Sequence, residues 1–324
     1  MEEIRILEEA NYKNEMAAAE AELVQHLYDG YAETAPGILI HYHYYEKKDC
    51  KATVVISHGF TESGLKFHEM AWYFYRAGYQ VFLVDHRGHA SSTHPVDDPN
   101  VVHIDAFEDY VTDLHKVVED KVKPISQNRP LYLYGHSMGG AISAFYISRY
   151  PDDFEKCILT APMIAANTGG TPLWAAKLLV AFMTLFGQKK KMPFLYKPYN
   201  TETDTYENSP DTSKNRFEYY KELRQKDTRL LTCAPSYAWV GKSLKVTKEL
   251  LSDELTGRIK IPVLLFQADA DAFVLNPPQD AFIAKIKNAR LIHMDGTKHE
   301  IYYSDDVTMQ KYLREILAFY EEAN

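Results

Sequence analysis

Cysteine is scarce in this chain. Cys50, Cys157 and Cys233 are its only three, an odd number set far apart. Such a count excludes the disulfide framework of a small secreted domain, and the spacing fits no metal-ligand pattern. Reduced thiols in a cytoplasm are the expectation. Long apolar runs are missing as well: the greasiest stretch, WAAKLLVAFMTLF at 174–186, is interrupted by Lys177. It falls short of the roughly 18–20 residues that a membrane-spanning helix needs. The opening MEEIRILEEA is acidic where a secretory leader would be basic and then apolar. Positive charge is in deficit, with 36 Lys and Arg against 45 Asp and Glu. The resulting net charge of −9 offers no basic face to a nucleic acid, so no nucleic-acid partner is expected. Internal repeats and low-complexity tracts are absent.

What is present has the rhythm of an α/β protein. At 324 residues the chain can bury a sizeable core, and 46% hydrophobic with 25% charged residues is ordinary for a globular fold. Six short apolar runs read as buried strands: VVIS (54–57), VFLV (81–84), LYLY (131–134), CILT (157–160), VLLFQ (263–267) and RLIHM (290–294). They are continuously apolar rather than alternating, as expected of parallel strands covered on both faces. An earlier strand in GILIHYHYY and a polar turn at Glu46–Cys50 precede them. Helical patterns at 64–77, 106–122, 139–150 and 305–322 separate the runs, the second opened by an Asp105/Glu108 capping box and the first closed by Gly78. Strand and helix in alternation predict a doubly wound, mostly parallel sheet. Residues 1–25 read as an added N-terminal helical extension; 26–161 and 262–324 read as the core.

Between these two parts of the core, 162–261 shows no strand pattern, and a connection that long should carry its own structure. Thr171-Pro172 reads as an N-cap and N1 pair opening 173–186, with further helices at 213–226 and 242–256. The expected form is a helical cap over the carboxyl edge of the sheet.

The chemistry starts at YLYGHSMGGAISA (132–144), whose Gly135-His136-Ser137-Met138-Gly139 fits the G-x-S-x-G nucleophile elbow. Five residues alone would arise by chance in such a chain with probability about 0.1. Context strengthens the match, since a strand ends just before Ser137 and a helix starts just after it. A serine hydroxyl needs an adjacent base that is itself oriented by an acid. In this fold those follow in the order Ser, Asp or Glu, His. QADADAFV (267–274) supplies Asp269 and Asp271 after a late strand, and GTKHE (296–300) supplies His299 after the last one. His293 lies within its strand and reads as a packed side chain. The oxyanion needs two N–H donors: Met138, after the nucleophile, and Phe60, in the Ser57-His58-Gly59-Phe60-Thr61 loop after the first central strand.

These stretches together resemble a family, the α/β-hydrolases that include bacterial lysophospholipases and monoacylglycerol lipases. The resemblance rests on SHGFTES (57–63), VDHRGHASS (84–92), AFEDYVTDL (106–114), YGHSMGGAIS (134–143), LTAPM (159–163), QADADAFV (267–274) and KHEIYYS (298–304), in the family's order. It implies Ser137 as nucleophile, Asp271 rather than Asp269 as acid, His299 as base, the Phe60 and Met138 amides as oxyanion donors, and no cofactor or metal. His86, Arg87 and His89 read as a bonded turn beside the site. Phe60 is a departure, since many relatives have a small residue there; its bulk bears on acyl-chain preference.

The substrate so implied is a monoacyl lipid ester. A short acyl ester, or a peptide with a small N-terminal residue, keeps the same chemistry. A scaffold without activity is opposed by the complete Ser, Asp, His order. The segment 173–187 followed by Lys189-Lys190-Lys191 would suit peripheral contact with a membrane's inner face, although a cap helix packed on the cleft accounts for the same residues. Head group, acyl-chain length and oligomeric state stay open in the sequence.

Overall fold

The computed structural model describes residues 4–323, so the first three residues of the predicted extension and the last of the predicted core lie outside the described residues. The chain opens with helix α1 (Tyr12–Leu23) and the hairpin of β1 (Leu27–Ala35) and β2 (Ile38–Tyr45). There follow β3 (Thr53–Ser57), α2 (His68–Arg76), β4 (Gln80–Val84), the short β5 (Val101–Val102), α3 (Glu108–Val117) and α4 (Lys123–Ser126). Next come β6 (Leu131–His136), α5 (Met138–Arg149) and β7 (Lys156–Thr160). The connection after β7 holds α6 (Leu173–Leu185), α7 (Lys214–Lys226), the short β8 (Ala234–Pro235), α8 (Tyr237–Leu250) and α9 (Asp253–Thr256). It returns to β9 (Val263–Ala268), α10 (Asn276–Ile283), β10 (Ala289–Met294) and α11 (Asp306–Glu321).

Eight strands form one sheet in the order β1-β2-β4-β3-β6-β7-β9-β10. β2 runs antiparallel to both neighbours and the remaining pairs are parallel. Every predicted central strand is found. Their continuous apolarity has a simple cause, because successive side chains enter two different cores. Val54 and Ile56 belong to the core that also holds residues of α1, α2 and α11, whereas Val55 belongs to the core that holds residues of α3, α5 and α8. In this sheet the strand that the sequence does not announce is β1, LYDGYAETA, an edge strand left mostly in solvent. With Gly30 inside it and few residues to bury, it lacks the pattern that marks its neighbours.

The register aligns the strand ends. Ser57 sits opposite Val84 and Gly135, Thr160 opposite Phe266, and Ala268 opposite Met294. From β3 the chain goes first to β4 on one side and later to β6 on the other, which makes a topological switch point. The loops after β3, β6, β9 and β10 therefore open at one edge.

Four local expectations need correction. Asp105 caps no helix: α3 starts at Glu108 without a side-chain cap, and the Asp105 carboxylate instead accepts from Lys189 at 2.7 Å. Pro172 is the N-cap of α6 rather than its first residue. The helix expected at 242–256 starts earlier, at Tyr237, where Ser236 accepts from Trp239 N, and is broken before Ser252, which caps α9. The connection also contains a strand after all, since β8 pairs in parallel with β5.

One buried knot ties the parts together. Arg216 of α7, fully buried, donates to both oxygens of Glu69 in α2, to the Leu7 carbonyl at 2.8 Å and to the Ser304 carbonyl at 3.0 Å. Its guanidinium lies over the Tyr12 ring, and Tyr12 and Tyr73 hydroxyls complete the shell of Glu69.

Candidate active site

The turn between β6 and α5 is tight enough to forbid side chains at two positions. A Cβ on Gly139 would stand 2.0 Å from the Ser57 carbonyl oxygen, and one on Gly135 would stand 2.3 Å from Ser143 Oγ. Ser137, between them, has φ 52° and ψ −116°. A non-glycine residue there costs of order 1–3 kcal/mol and persists only where its surroundings impose it. Here Ser137 N–H donates to Thr160 O at 3.0 Å, and Ser137 O accepts from Ala141 and Met163 amides at 3.1 and 2.8 Å. The result lifts the hydroxyl out of the turn.

That hydroxyl meets His299. Ser137 Oγ lies 2.8 Å from His299 Nε2, and His299 Nδ1 lies 2.6 Å from Asp271 Oδ2. The carboxylate can only accept, so Nδ1 carries the proton and Nε2 is left to accept from the serine. Asp271 is fixed in turn, its other oxygen accepting from Phe273 and Val274 amides at 2.8 and 3.0 Å, with no exposed side-chain surface. Asp269 is exposed, and among the described residues its carboxylate reaches only the Gly296 amide, at 3.4 Å. Of the two acidic candidates, the structure brings Asp271 to the histidine. His293 is on its strand but exposed rather than packed. The loop after β3 brings Phe60 to the same cavity as Ser137, with its ring against Trp239 at 4.1 Å between centroids. Met138 is the first residue of α5, where a helix amide has no intrahelical acceptor.

His86, Arg87 and His89 form a bonded turn. His86 Nε2 pairs with Ser57 Oγ at 2.8 Å, and Arg87 binds Asp113 through two nitrogens, each at 2.8 Å. Burial, with His89 nearby, pushes His86 down to about 3, and it does the same to His58 with His86 beside it.

The cavity at Ser137 measures about 680 Å³, within the range of small-molecule sites. Met163, Leu179, Val180, Trp239 and Leu244 make one wall apolar. Elsewhere it is lined by Lys66, Asp211, Tyr220 and Glu300, a buried polar group that sequence reasoning missed. Lys66 donates to Glu300 at 2.5 Å, and burial together with Glu300 pushes the Asp211 carboxyl well above its usual range. Although burial pulls Lys66 down, Glu300 and Glu62 hold it well above the ordinary ammonium value. Glu62 and Glu300 each lie inside a motif already singled out, but nothing local shows that they meet one lysine. A second hollow of about 330 Å³, between α1 and α7, contains none of the three residues of the hydrogen-bonded chain.

Among the described residues one group has the spacing of metal ligands, His115, Glu119 and Asp153. Lys123 binds both of its carboxylates, so the charge a cation would answer is already met.

A sheet of this order, with a strand-serine-helix turn at its switch point, defines the α/β-hydrolase fold. The family described as serine aminopeptidase, S33, matches residues 48–306, and the chain belongs to that family. It is 28% identical over 266 residues to the probable lysophospholipase L2 of Haemophilus influenzae, covering 82% of each chain. It is likewise 28% identical over 284 residues to lysophospholipase L2 of Escherichia coli K12, covering 84% of this chain and 81% of that one. In fold it is similar to a soluble variant of monoglyceride lipase from Saccharomyces cerevisiae, solved with a substrate analog. The TM-score is 0.73 at 16% identity, over 90% of this chain and 94% of that one.

Proposed function

We propose that this protein is a serine carboxylic-ester hydrolase that cleaves monoacyl lipids of the lysophospholipid or monoacylglycerol kind. The observation that carries the reading is the hydrogen-bonded chain Ser137–His299–Asp271 opening onto a cavity with an apolar wall. His299 Nε2 takes the Ser137 proton as Oγ attacks the ester carbonyl, and Asp271 holds the imidazole and steadies the imidazolium. The oxyanion is received by the Met138 and Phe60 amides. His299 then protonates the departing alcohol, leaving an acyl group on Ser137. A water deprotonated by His299 attacks that acyl-enzyme and releases the fatty acid. The lysophospholipase relatives, aligned over most of both chains, favour a lipid ester over a short one.

The test is Ser137→Ala assayed on a panel of lysophospholipids, monoacylglycerols and p-nitrophenyl esters of graded length. Loss on the order of 10⁶ is expected of a triad serine. Retention of more than a few per cent of the rate removes the assignment.

A peptidase reading has one observation in its favour. Asp211, from the connection between β7 and β9, lines the cavity with Glu300 and could meet a substrate amine. Lys66 already answers Glu300, which weakens that anchor. Hydrolysis of an aminoacyl p-nitroanilide faster than any ester in the panel would select the peptidase.

Residues 162–261 are proposed as the cap over this cleft, and α6 as its contact with a lipid surface. Ala176, Leu179 and Val180 of α6 face the cavity, whereas Trp174, Leu178, Phe182 and Leu185 are exposed. A helix apolar on both faces needs a second apolar neighbour. The lysines contribute less than their run promised, because Lys189 is bound to Asp105 and Lys190 to the Pro95 carbonyl. No helix among the described residues is long and apolar enough to cross a membrane.

A further inference from the structure

The loop after β3 is gripped on either side of one amide. Gly59 N–H donates to Glu62 Oε2 at 2.5 Å, and Thr61 N–H donates to His89 Nε2 at 3.2 Å. Phe60 stands between them, and among the described residues its N–H meets no acceptor. Thr61 has φ 63°, a left-handed value that a β-branched residue adopts only under constraint. The conformation of this loop is therefore imposed by its partners.

Both partners are buried and held from behind. Glu62 is 5% exposed; its Oε1 accepts from Tyr302 OH at 2.5 Å, and Lys66 Nζ and His136 Nε2 face that oxygen at 3.6 Å each. Tyr302 lies three residues past His299, and His136 directly precedes Ser137. One carboxylate thus touches the three loops that carry the proposed oxyanion donor, base and nucleophile. A Cβ on Gly59 would lie 2.7 Å from Glu62 Oε2, so glycine is what lets the carboxylate reach that amide. His89 is fully buried and its Nδ1 bonds the Arg87 carbonyl at 3.1 Å, which makes Nε2 the acceptor. Burial, then the neighbouring His58, holds His89 well below its ordinary value, so it stays neutral and keeps accepting.

We propose that Glu62 and His89 are positioning residues that clamp the amides flanking Phe60 and so aim the Phe60 N–H at the oxyanion formed on Ser137. The proposal rests on the reading of Ser137 as nucleophile. Neither residue exchanges a proton with substrate; each supplies only an acceptor. Amides fixed in advance need no reorganisation when the charge develops, which is where such donors gain their effect. Glu62 accepts through both oxygens only when ionised. Burial pushes its carboxyl up to about 7 against the pull of Lys66, with Glu300 adding to the rise. As pH falls through that value, the proton turns one acceptor into a donor and frees Gly59 N–H or Tyr302 OH.

The experiment is steady-state hydrolysis of a p-nitrophenyl ester from pH 5 to 9, with binding of an alkyl boronic acid that forms a tetrahedral adduct on serine. In Glu62→Ala and His89→Ala, kcat should fall about 10–100-fold with KM within about threefold, short of the 10²–10³ for outright loss of a donor. Boronic acid affinity should fall by the same factor. Glu62→Gln retains an acceptor for Gly59, so it should recover most of kcat at pH 8 and lose the part of the acid limb centred near pH 7. A kcat within about threefold of wild type in both alanine variants, or a loss confined to KM, overturns the proposal. Should the alanine variants not fold, Glu62→Gln decides it, since an acid limb identical to wild type overturns the clamp. Activity surviving in Ser137→Ala removes the nucleophile and the clamp together, whereas an inactive Ser137→Ala beside fully active Glu62 and His89 variants removes the clamp alone.

Discussion

Gly139 has no Cβ because the Ser57 carbonyl occupies the place where one would stand. The contact is backbone against backbone, so no rotamer change can relieve it. Gly139→Ala should therefore cost at least about 1–3 kcal/mol, the usual penalty of overpacking, seen as a lowered urea midpoint before any effect on rate. At the same scale, the two acidic candidates after β9 have different surroundings. Asp271→Asn should lower kcat on the order of 10⁴ by favouring the wrong imidazole tautomer. Asp269→Asn, at an exposed position, should stay within about threefold. Equal losses in both would remove Asp271 from the proposed triad. Sequence order left both acids open, and the family resemblance preferred Asp271. What neither could supply is the pair of amides from Phe273 and Val274 that hold it, since those bonds depend on how the loop folds back.

Helices and strands separate into those that announce themselves and those that do not. The central strands did, because burial on two faces forces an unbroken apolar run. β1 and β5 did not, being edge or two-residue elements whose pairing owes nothing to composition. The connection after β7 is helical as its pattern predicts, but its caps fall elsewhere: Pro172 is the N-cap of α6 rather than its first residue, and Ser252 caps a separate helix within the span expected at 242–256. α6 is the element with most at stake. Replacing Trp174, Leu178 and Phe182 together by serine should cut sedimentation with anionic liposomes by more than about tenfold, at roughly 1.5–3 kcal/mol per buried apolar side chain. Lys189→Gln should change it much less. If the unaltered protein fails to sediment at low salt, α6 has no such role.

On the scale of the whole molecule, the meeting of Ser137, His299 and Asp271 was legible because the loops after β6, β9 and β10 open at one edge of the sheet. The cluster of Glu62, Lys66, Asp211 and Glu300 was not. Its members come from the loops after β3 and β10 and from the connection after β7, and no periodicity links residues 234 positions apart. The Arg216 knot was hidden for the same reason. Arg216→Met should cost about 3–5 kcal/mol, because Glu69 would be left as a buried charge without its partner. Adding Glu69→Leu should return a large part of that, read as a double-mutant cycle in urea.

The same knot has a consequence in time. Leu7 and Arg216 are 209 residues apart, and the Ser304 carbonyl that shares the guanidinium lies 88 residues further on. The segment around Leu7 therefore has no finished berth until the chain through Ser304 is in place. Closing so large a loop is slow. Helix α1 should be among the last parts to gain protection against hydrogen exchange during refolding, well after the central strands.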